Sequence, residues 1–191
     1  MAEKISPDFA SSIQQPPSSF SREFRIWGRD VAIALGLAVF IIVFLYQPVR
    51  VEGTSMAPLL SDQERIFINK FVYHFEPIHR GDVVVFWYPL DTSKSFIKRV
   101  IGLPGDTIDI RAGVLYVNGK QVPEPYVPPS YFDDSSYGPY TVPPDAYFVM
   151  GDHRDSSNDS RIFAAVPRKY IYGKAVFAYW PFREFGEISA P

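Results

Sequence analysis

The sequence predicts a mainly β protein, in which an antiparallel β domain follows a single N-terminal transmembrane helix. Two observations lead to this prediction. The 191 residues include 12 Tyr, 16 Phe and 18 Pro, a composition that favours strands joined by proline-punctuated turns over a helical bundle. One run from Val31 to Val49 contains nineteen residues without a charge, and about 20 apolar residues suffice to cross a bilayer.

Composition also excludes several classes of function. The formal net charge is −2, so no basic field indicates nucleic acid as a partner. The chain has no cysteine, which excludes a disulfide frame, a thiol nucleophile and a zinc–thiolate site. The length fits one folded domain with an anchor.

The first thirty residues are predicted to form a flexible cytoplasmic tail. They include the stretch "ISPDFASSIQQPPSSF", which is rich in Ser, Gln and Pro and has no apolar period.

Residues 31–49 are predicted to be the transmembrane anchor. A buried soluble helix and a cleaved signal peptide are the alternatives, but a signal peptide has a shorter apolar region and a small-residue cleavage site. Four basic residues precede the run and only Arg50 follows it closely. The positive-inside rule therefore places the N-terminus in the cytoplasm and the rest of the chain on the trans side.

Residues 50–191 are predicted to form the β-rich domain. The strands are indicated by "RIFINK", "DVVVFWY", "VLYVNGKQV", "AYFVMGD" and "KAVFAYWPF". Asn118-Gly119 lies between two short apolar runs and predicts a hairpin turn. A Pro/Tyr-rich stretch at about 123–144 is too rich in proline for a central strand and is predicted to be a long excursion from the sheet.

Ser55, in "VEGTSMAPLL" directly after the apolar run, is a candidate nucleophile. On its own, a serine in such a stretch is usually a turn former. The G-x-S-x-G elbow of hydrolases is not matched, because Ala57 occupies its last position.

A serine nucleophile needs a base, and the histidines of the chain are one source. His74 and His79 are interpreted as solvated surface residues. His153 lies in "GDHRDSSNDSR", where it is either a base or a loop hydrogen-bonder.

Lys98, in "SFIKRVIGLPGD", is the other candidate base. If strand alternation places it inward, burial disfavours its charged form. Reaching neutral pH from about 10.4 takes a pKa shift of roughly three units, or about 4 kcal/mol of differential desolvation. The hypothesis therefore depends on burial, and the alternative is an ammonium in water at a strand edge.

The stretch "GDHRDSSNDSR" also offers carboxylates to a metal ion. Its spacing differs from that of a calcium loop, and Arg154 and Arg161 supply competing charge. A hydrogen-bonded structural loop is preferred.

Four stretches in this order, behind the anchor, resemble the boxes of type I signal peptidases. They are "GTSMAPLL" (53–60), "GDVVVF" (81–86), "KRVIGLPGD" (98–106) and "GDHRDSSNDSR" (151–161). The resemblance covers nearly everything from residue 31 to the last strand, and it implies an antiparallel β catalytic domain of the signal peptidase type.

The resemblance also implies roles for individual residues. Ser55 would be the nucleophile and Lys98 the general base of a Ser-Lys dyad. Residues of the binding cleft and of the support for the dyad match as well: Met56 and Arg99 flanking the cleft, Ser157 orienting the lysine, and Asp159 with Arg161 as a charge pair.

The chain also departs from the family pattern. Gly53 stands where some members have a serine that donates to the oxyanion, so the second donor would be a backbone N–H or water, beside the N–H of Ser55 itself. Leu59 replaces a threonine, and Phe163-Ala164 replaces Trp-Gly.

By resemblance, the function is that of a membrane-bound serine endopeptidase. It would remove signal peptides from exported preproteins after small residues at −1 and −3, through an acyl-enzyme and without a metal or organic cofactor. Preproteins, the lipid bilayer and the export translocon are the implied partners. The implied location is the bacterial plasma membrane, with a thylakoid membrane as the alternative.

Two other functions remain open on sequence grounds. A self-cleaving repressor-type Ser-Lys protease would carry a DNA-binding domain where this chain has the apolar run. A catalytically inactive anchored β domain that binds peptides or partner proteins would keep its function when Ser55 is replaced by Ala.

Overall fold

The computed structural model describes residues 19–188, and it describes the side chains of these residues except at 19–22 and 42–45. The chain divides into two units, one ending at Ile41 and the other beginning at Ile42. The first contains most of helix α1, and the second contains all of the β structure.

Helix α1 spans Ser19–Leu45. It therefore begins inside the range predicted to be a flexible tail, of which residues 1–18 lie outside the described residues. The predicted anchor at 31–49 overlaps the helix, but its last four residues form a strand. Pro48 has no N–H to donate and restricts the residue before it to extended backbone, which favours this change. Within residues 19–188 no helix has both the length and the apolar character needed to span a membrane.

The β structure is antiparallel throughout the described pairings and forms two sheets. The strands are β1 Tyr46–Arg50, β2 Arg65–Asn69, β3 Val83–Trp87, β4 Ser95–Gly102, β5 Thr107–Arg111, β6 Val114–Val117, β7 Lys120–Gln121, β8 Tyr137–Thr141, β9 Ala146–Met150, β10 Val166–Pro167, β11 Ile171–Trp180 and β12 Gly186–Glu187. In the larger sheet the strand order is β1-β2-β11-β3-β4-β9-β10, with β12 beside β11, and in the smaller sheet it is β7-β6-β5-β8. The mainly β prediction is confirmed.

Two short α-helices interrupt the sheets, α2 at Val72–Phe75 and α3 at Ser160–Phe163. The predicted hairpin is present, because Asn118 and Gly119 connect β6 to β7 with φ of 53° and 76°. Positive φ at both central residues is what a type I′ turn requires.

The Pro/Tyr-rich excursion is less irregular than predicted. It contains a 3₁₀ turn at Pro129–Tyr131 and strand β8, which forms the edge of the smaller sheet. An edge strand tolerates proline because one side of it needs no ladder donors.

The interior of the larger sheet positions the two candidate catalytic residues. Met56 is 2% exposed and packs among aliphatic side chains of β2, β3 and β11, which fixes the segment that carries Ser55. On the neighbouring strand pair, Lys98 of β4 lies opposite Val84 of β3. The buried side chains of the cluster around Met56 are Val51, Met56, Leu60, Ile66, Val83, Ala175, Ala178 and Ile188.

Candidate active site

Ser55 lies in a tight turn between β1 and β2. The amide of Ala57 donates to the carbonyl of Thr54 at 2.9 Å, and the amide of Leu60 donates to the carbonyl of Met56 at 2.9 Å. Gly53 precedes the turn with φ +90°, a backbone conformation that glycine adopts without strain. These contacts hold a half-buried Ser55 in place.

Lys98 reaches Ser55 from β4. Its Nζ lies 2.6 Å from Ser55 Oγ and 3.0 Å from the carbonyl oxygen of Ile97. The residue is only 4% exposed. Among residues 19–188, no carboxylate lies within ion-pair distance of Nζ.

Burial changes the acid–base behaviour of Lys98. Desolvation lowers its pKa to about 8, and the negative charges of Asp159 and Asp152 act in the opposite direction. A lysine at this value has a substantial neutral fraction near physiological pH, so it can accept a proton from a serine hydroxyl.

Arg99, the next residue of β4, was predicted to flank the cleft, and this placement is wrong. Its side chain is 1% exposed and donates to both oxygens of Asp152, at 2.8 and 2.6 Å. It also donates to the carbonyl of Gly81 at 3.0 Å and lies 4.2 Å from the ring centroid of Tyr126. Successive side chains of a strand point to opposite faces, so Arg99 is directed away from the dyad.

Gly151 and Ser157 of the loop at 151–161 lie against the Ser55 turn. A Cβ on Gly151 would collide with the carbonyl oxygen of Ser55 and with the side chain of Ser157, so this close approach requires glycine. The Ser157 hydroxyl is buried and has no hydrogen-bond partner in the described part of the chain. The predicted hydrogen bond from Ser157 to Lys98 is therefore not formed in this structure.

Asp159 holds the other end of the same loop. Its carboxylate accepts the amide of Gly151 at 3.1 Å and the Nη2 of Arg161 at 2.8 Å. Arg161 in turn donates to Asp133 at 2.6 Å and to the carbonyl of Arg154 at 2.7 Å. The charge pair expected from the sequence thus ties the loop to Asp133 of the Pro/Tyr-rich excursion.

Ser55 and Lys98 face a cleft of about 570 Å³ between the Ser55 turn and the larger sheet. Gly53 and Met56 also line it, whereas Arg99, Ser157, Asp159 and Arg161 do not. Polar and apolar side chains both line it, and the apolar lining residues are Val49, Val51, Met56, Ile68, Val85, Phe96 and Ile97.

Several residues of the site were not predicted as such. Ser156, the last residue of a 3₁₀ turn at Arg154–Ser156, and Asn158 line the cleft on either side of half-buried Ser157, and no local sequence pattern distinguished them. Ser95 and Tyr172, which share a hydrogen bond of 3.0 Å, also line it. Tyr172 comes from β11, and no local pattern connects it to Ser55.

Comparison with known proteins identifies the family of this chain. The family model described as signal peptidase, peptidase S26, matches residues 24–180. A signal peptidase I from Leptolyngbya laminosa is 37% identical over 192 residues, which cover 95% of this chain and 90% of that protein. Another from Bacillus amyloliquefaciens is 37% identical and covers 99% of this chain and all of its own length.

A further curated relative and a solved structure are also similar to this chain. Signal peptidase I T from Bacillus subtilis (strain 168) is 40% identical over 173 residues, which cover 85% of this chain and 89% of that protein. The crystal structure of a signal peptidase I from Enterococcus faecalis V583 aligns with 52% of this chain and 97% of its own, at 32% identity and a TM-score of 0.47. On the family match and the identities of the curated relatives, the chain belongs to the signal peptidase family, peptidase S26.

Proposed function

We propose that this protein is a membrane-bound serine endopeptidase that removes signal peptides from exported preproteins with Ser55 as nucleophile and Lys98 as general base. Membership of the signal peptidase family supports the reaction. The observation that carries the assignment of residues is the 2.6 Å separation of Lys98 Nζ and Ser55 Oγ, at a lysine that is almost fully buried.

The proposed reaction begins with a proton transfer. Neutral Lys98 accepts the Ser55 hydroxyl proton while Oγ attacks the scissile carbonyl, and the carbonyl oxygen becomes an oxyanion. Lys98 then gives the proton to the leaving amine as the C–N bond breaks, which leaves an acyl ester on Ser55. Water loses a proton to Lys98 and attacks the ester carbonyl. As the bond between the acyl carbon and Ser55 Oγ breaks, Lys98 returns that proton to Oγ, and the released carboxylic acid ionises in water.

The oxyanion needs donors that are already in place. Within residues 19–188 no acceptor takes the amide of Ser55, so this N–H is available. The amide of Gly53 is not, because it donates to Asp62 at 2.8 Å. The second donor must therefore come from another group, water included.

The cleft accounts for a preference for small residues at −1 and −3. Signal peptides end in small side chains by the family's rule, and an extended segment presents alternate side chains to the same wall. The apolar part of the wall, which includes Met56 and Ile97, favours small apolar side chains.

The membrane location is supported by the sequence. The uncharged run from Val31 to Val49 is long enough for one span, and the basic residues before it favour a cytoplasmic N-terminus. Side chains at 42–45 lie outside the described residues, so this proposal rests on the printed sequence. The bilayer and the export translocon are proposed partners, and the bacterial plasma membrane is the proposed location, with a thylakoid membrane as the alternative.

The test is cleavage of a purified preprotein in detergent, followed by identification of the product's new N-terminus. Wild type is expected to cut after a small residue that follows another at −3, and Ser55→Ala is expected not to cut. Lys94→Met is the matched control for substitutions of lysine, because the Lys94 side chain is 65% exposed and its one ion pair within the described residues is with Asp91. Cleavage by Ser55→Ala at the wild-type rate would refute the assignment of the nucleophile.

Extraction of membranes at alkaline pH tests the anchor separately. The protein is expected to stay with the lipid, and added protease is expected to digest the β-rich domain only from the trans side. Release of the protein by alkali would contradict the anchor without affecting the assignment of the dyad.

A further inference from the structure

His153 makes two contacts with the backbone that carries Ser55. Its own amide donates to the carbonyl of Ser55 at 3.2 Å, and its ring Nδ1 lies 3.1 Å from the carbonyl oxygen of Thr54. A carbonyl oxygen only accepts, so Nδ1 must carry the hydrogen. Through His153, the loop at 151–161 thus donates hydrogen bonds to the carbonyls of both Thr54 and Ser55.

The hydrogen bond from His153 to the Thr54 carbonyl also bears on the direction of the Ser55 amide. The carbonyl of Thr54 and the amide of Ser55 belong to one planar trans peptide group, in which C=O and N–H point in opposite directions. The Ala57 amide and the His153 ring together fix the direction of this carbonyl, and with it the direction of the N–H. That N–H has no acceptor among the described residues, and it is the expected donor to the oxyanion.

The imidazole of His153 is itself held on two sides. The ring of Tyr131, from the 3₁₀ turn of the Pro/Tyr-rich excursion, lies 3.9 Å from it between centroids, with an interplanar angle of 31°. Nε2 lies 3.0 Å from Asp155 Oδ1, a contact that is an ion pair when both ring nitrogens carry a hydrogen. The side chain is only 17% exposed, so the ring has little freedom to leave the Thr54 carbonyl.

We propose that His153 is a positioning residue that aims the Ser55 amide at the oxyanion, and that Tyr131 of the excursion holds it in place. This inference rests on the proposed Ser55 nucleophile and assigns a role to the excursion. His153 takes no proton from Ser55, because the group 2.6 Å from Ser55 Oγ is Lys98.

The expected signature is a loss in kcat with little change in KM, because the contact acts on a donor needed only when the oxyanion forms. Removal of an oxyanion donor altogether lowers kcat by about 10²–10³-fold. A donor that is present but misdirected is expected to lose less, about 10- to 100-fold for His153→Ala.

Two substitutions separate the hydrogen bond from packing. His153→Phe keeps a ring against Tyr131 but has no Nδ1 donor, so it is expected to lose as much kcat as His153→Ala. His153→Asn places an amide nitrogen on Cγ, where the imidazole has Nδ1, and is expected to recover kcat to within about threefold of wild type. His79→Ala is the matched control, since the His79 side chain is exposed and only its backbone is bonded, to Asp82.

Two inhibitors give a readout that a purely structural role would not change. The carbonyl carbon of a peptide aldehyde forms a bond with Ser55 Oγ, and the negative charge then lies on the former carbonyl oxygen. A reduced-amide peptide of the same sequence has no such oxygen. For His153→Ala and His153→Phe, the aldehyde Ki is expected to rise about as much as kcat falls, and the reduced-amide Kd is expected to stay within about twofold.

The result can overturn this inference without touching the dyad. With Ser55→Ala inactive in the same assay, a His153→Ala enzyme within about twofold of wild-type kcat would overturn the role of His153 alone. Equal losses for His153→Asn and His153→Ala, or equal weakening of both inhibitors, would overturn it as well. Cleavage by Ser55→Ala would instead mean that the proposed nucleophile is wrong.

Discussion

Lys98 and Arg99 are adjacent on β4, equally withdrawn from water and opposite in character. Arg99 is bound to both oxygens of the fully buried Asp152, a carbonyl and an aromatic face. Among the described residues, Lys98 Nζ has neutral neighbours: the oxygens of Ser55 and Ile97, and the Phe96 ring with its centroid at 5.4 Å. A buried cation with a good partner keeps its charge, and one without a partner loses its proton more readily. The face of β4 where no carboxylate pairs with the cation is the one for which we propose a catalytic role.

Loss of Lys98 is expected to have the largest effect on catalysis. Lys98→Met and Lys98→Arg should each lower kcat/KM for preprotein cleavage by about 10³-fold or more, because methionine has no basic group and a guanidinium stays protonated. Steady-state cleavage with quantified product measures this, and Lys94→Met should match wild type. A Lys98→Arg enzyme that keeps a tenth of the wild-type kcat/KM would contradict the assignment of Lys98 as the base.

The same two positions are expected to affect stability in opposite directions. Arg99→Met leaves the Asp152 charge buried without a partner and should lower the free energy of unfolding by about 3–5 kcal/mol. Lys98→Met removes a group whose pKa falls to about 8 on folding. Since the unfolded chain binds that proton more tightly below pH ~10.4, Lys98→Met should raise the free energy of unfolding at pH 7 by about 1–3 kcal/mol.

Urea unfolding at pH 7 measures both changes. Arg111→Met is the control for loss of an ion pair, since Arg111 is 67% exposed and its pair with Asp109 should contribute at most about 1 kcal/mol. Arg99→Met combined with Asp152→Asn should recover part of the loss, because no buried charge then remains. If Lys98→Met destabilised the protein as much as Arg99→Met, the two faces of β4 would not differ as described.

Catalysis should depend on pH through Lys98. The neutral form is the base, so kcat/KM should rise roughly tenfold per pH unit below the lysine's pKa of about 8 and level off above it. The profile is measured with a substrate peptide that has no group titrating between about pH 6 and 9.5. A profile flat over this range would exclude Lys98 as the base.

The smallest expected effect compares two serines of the loop whose hydroxyl groups are withdrawn from water. The hydroxyl of Ser160 accepts the Val149 amide at 2.9 Å, so Ser160→Ala should lower the free energy of unfolding by about 1–2 kcal/mol. Ser157, beside the Ser55 carbonyl, has a hydroxyl without a partner in the described residues. Ser157→Ala should therefore change the free energy of unfolding by less than about 0.5 kcal/mol. Equal losses in thermal unfolding would mean that Ser157 is bonded in solution.

Local features of the fold were predictable from neighbouring residues. Asn118-Gly119 marked a turn because its preferred φ values are a property of the two residues themselves, and the structure confirms the hairpin. The end of the helix was placed too late, because Tyr46 to Val49 continue the uncharged run yet pair with β2. Hydropathy alone does not distinguish an apolar helix end from an apolar strand.

The sequence by itself determined the mainly β class and the order of the boxes, and it made Ser55 and Lys98 the candidates for the dyad, because motifs and local periodicity are properties of the chain. Only the tertiary structure decided that Lys98 is buried without a carboxylate, that Arg99 belongs to Asp152, and that His153 holds the Thr54 carbonyl. Arg99 and Asp152 are separated by 53 positions in the sequence, and Thr54 and His153 by 99 positions. Burial, pKa and hydrogen bonding depend on what the fold brings within a few ångströms, and sequence neighbours do not specify that.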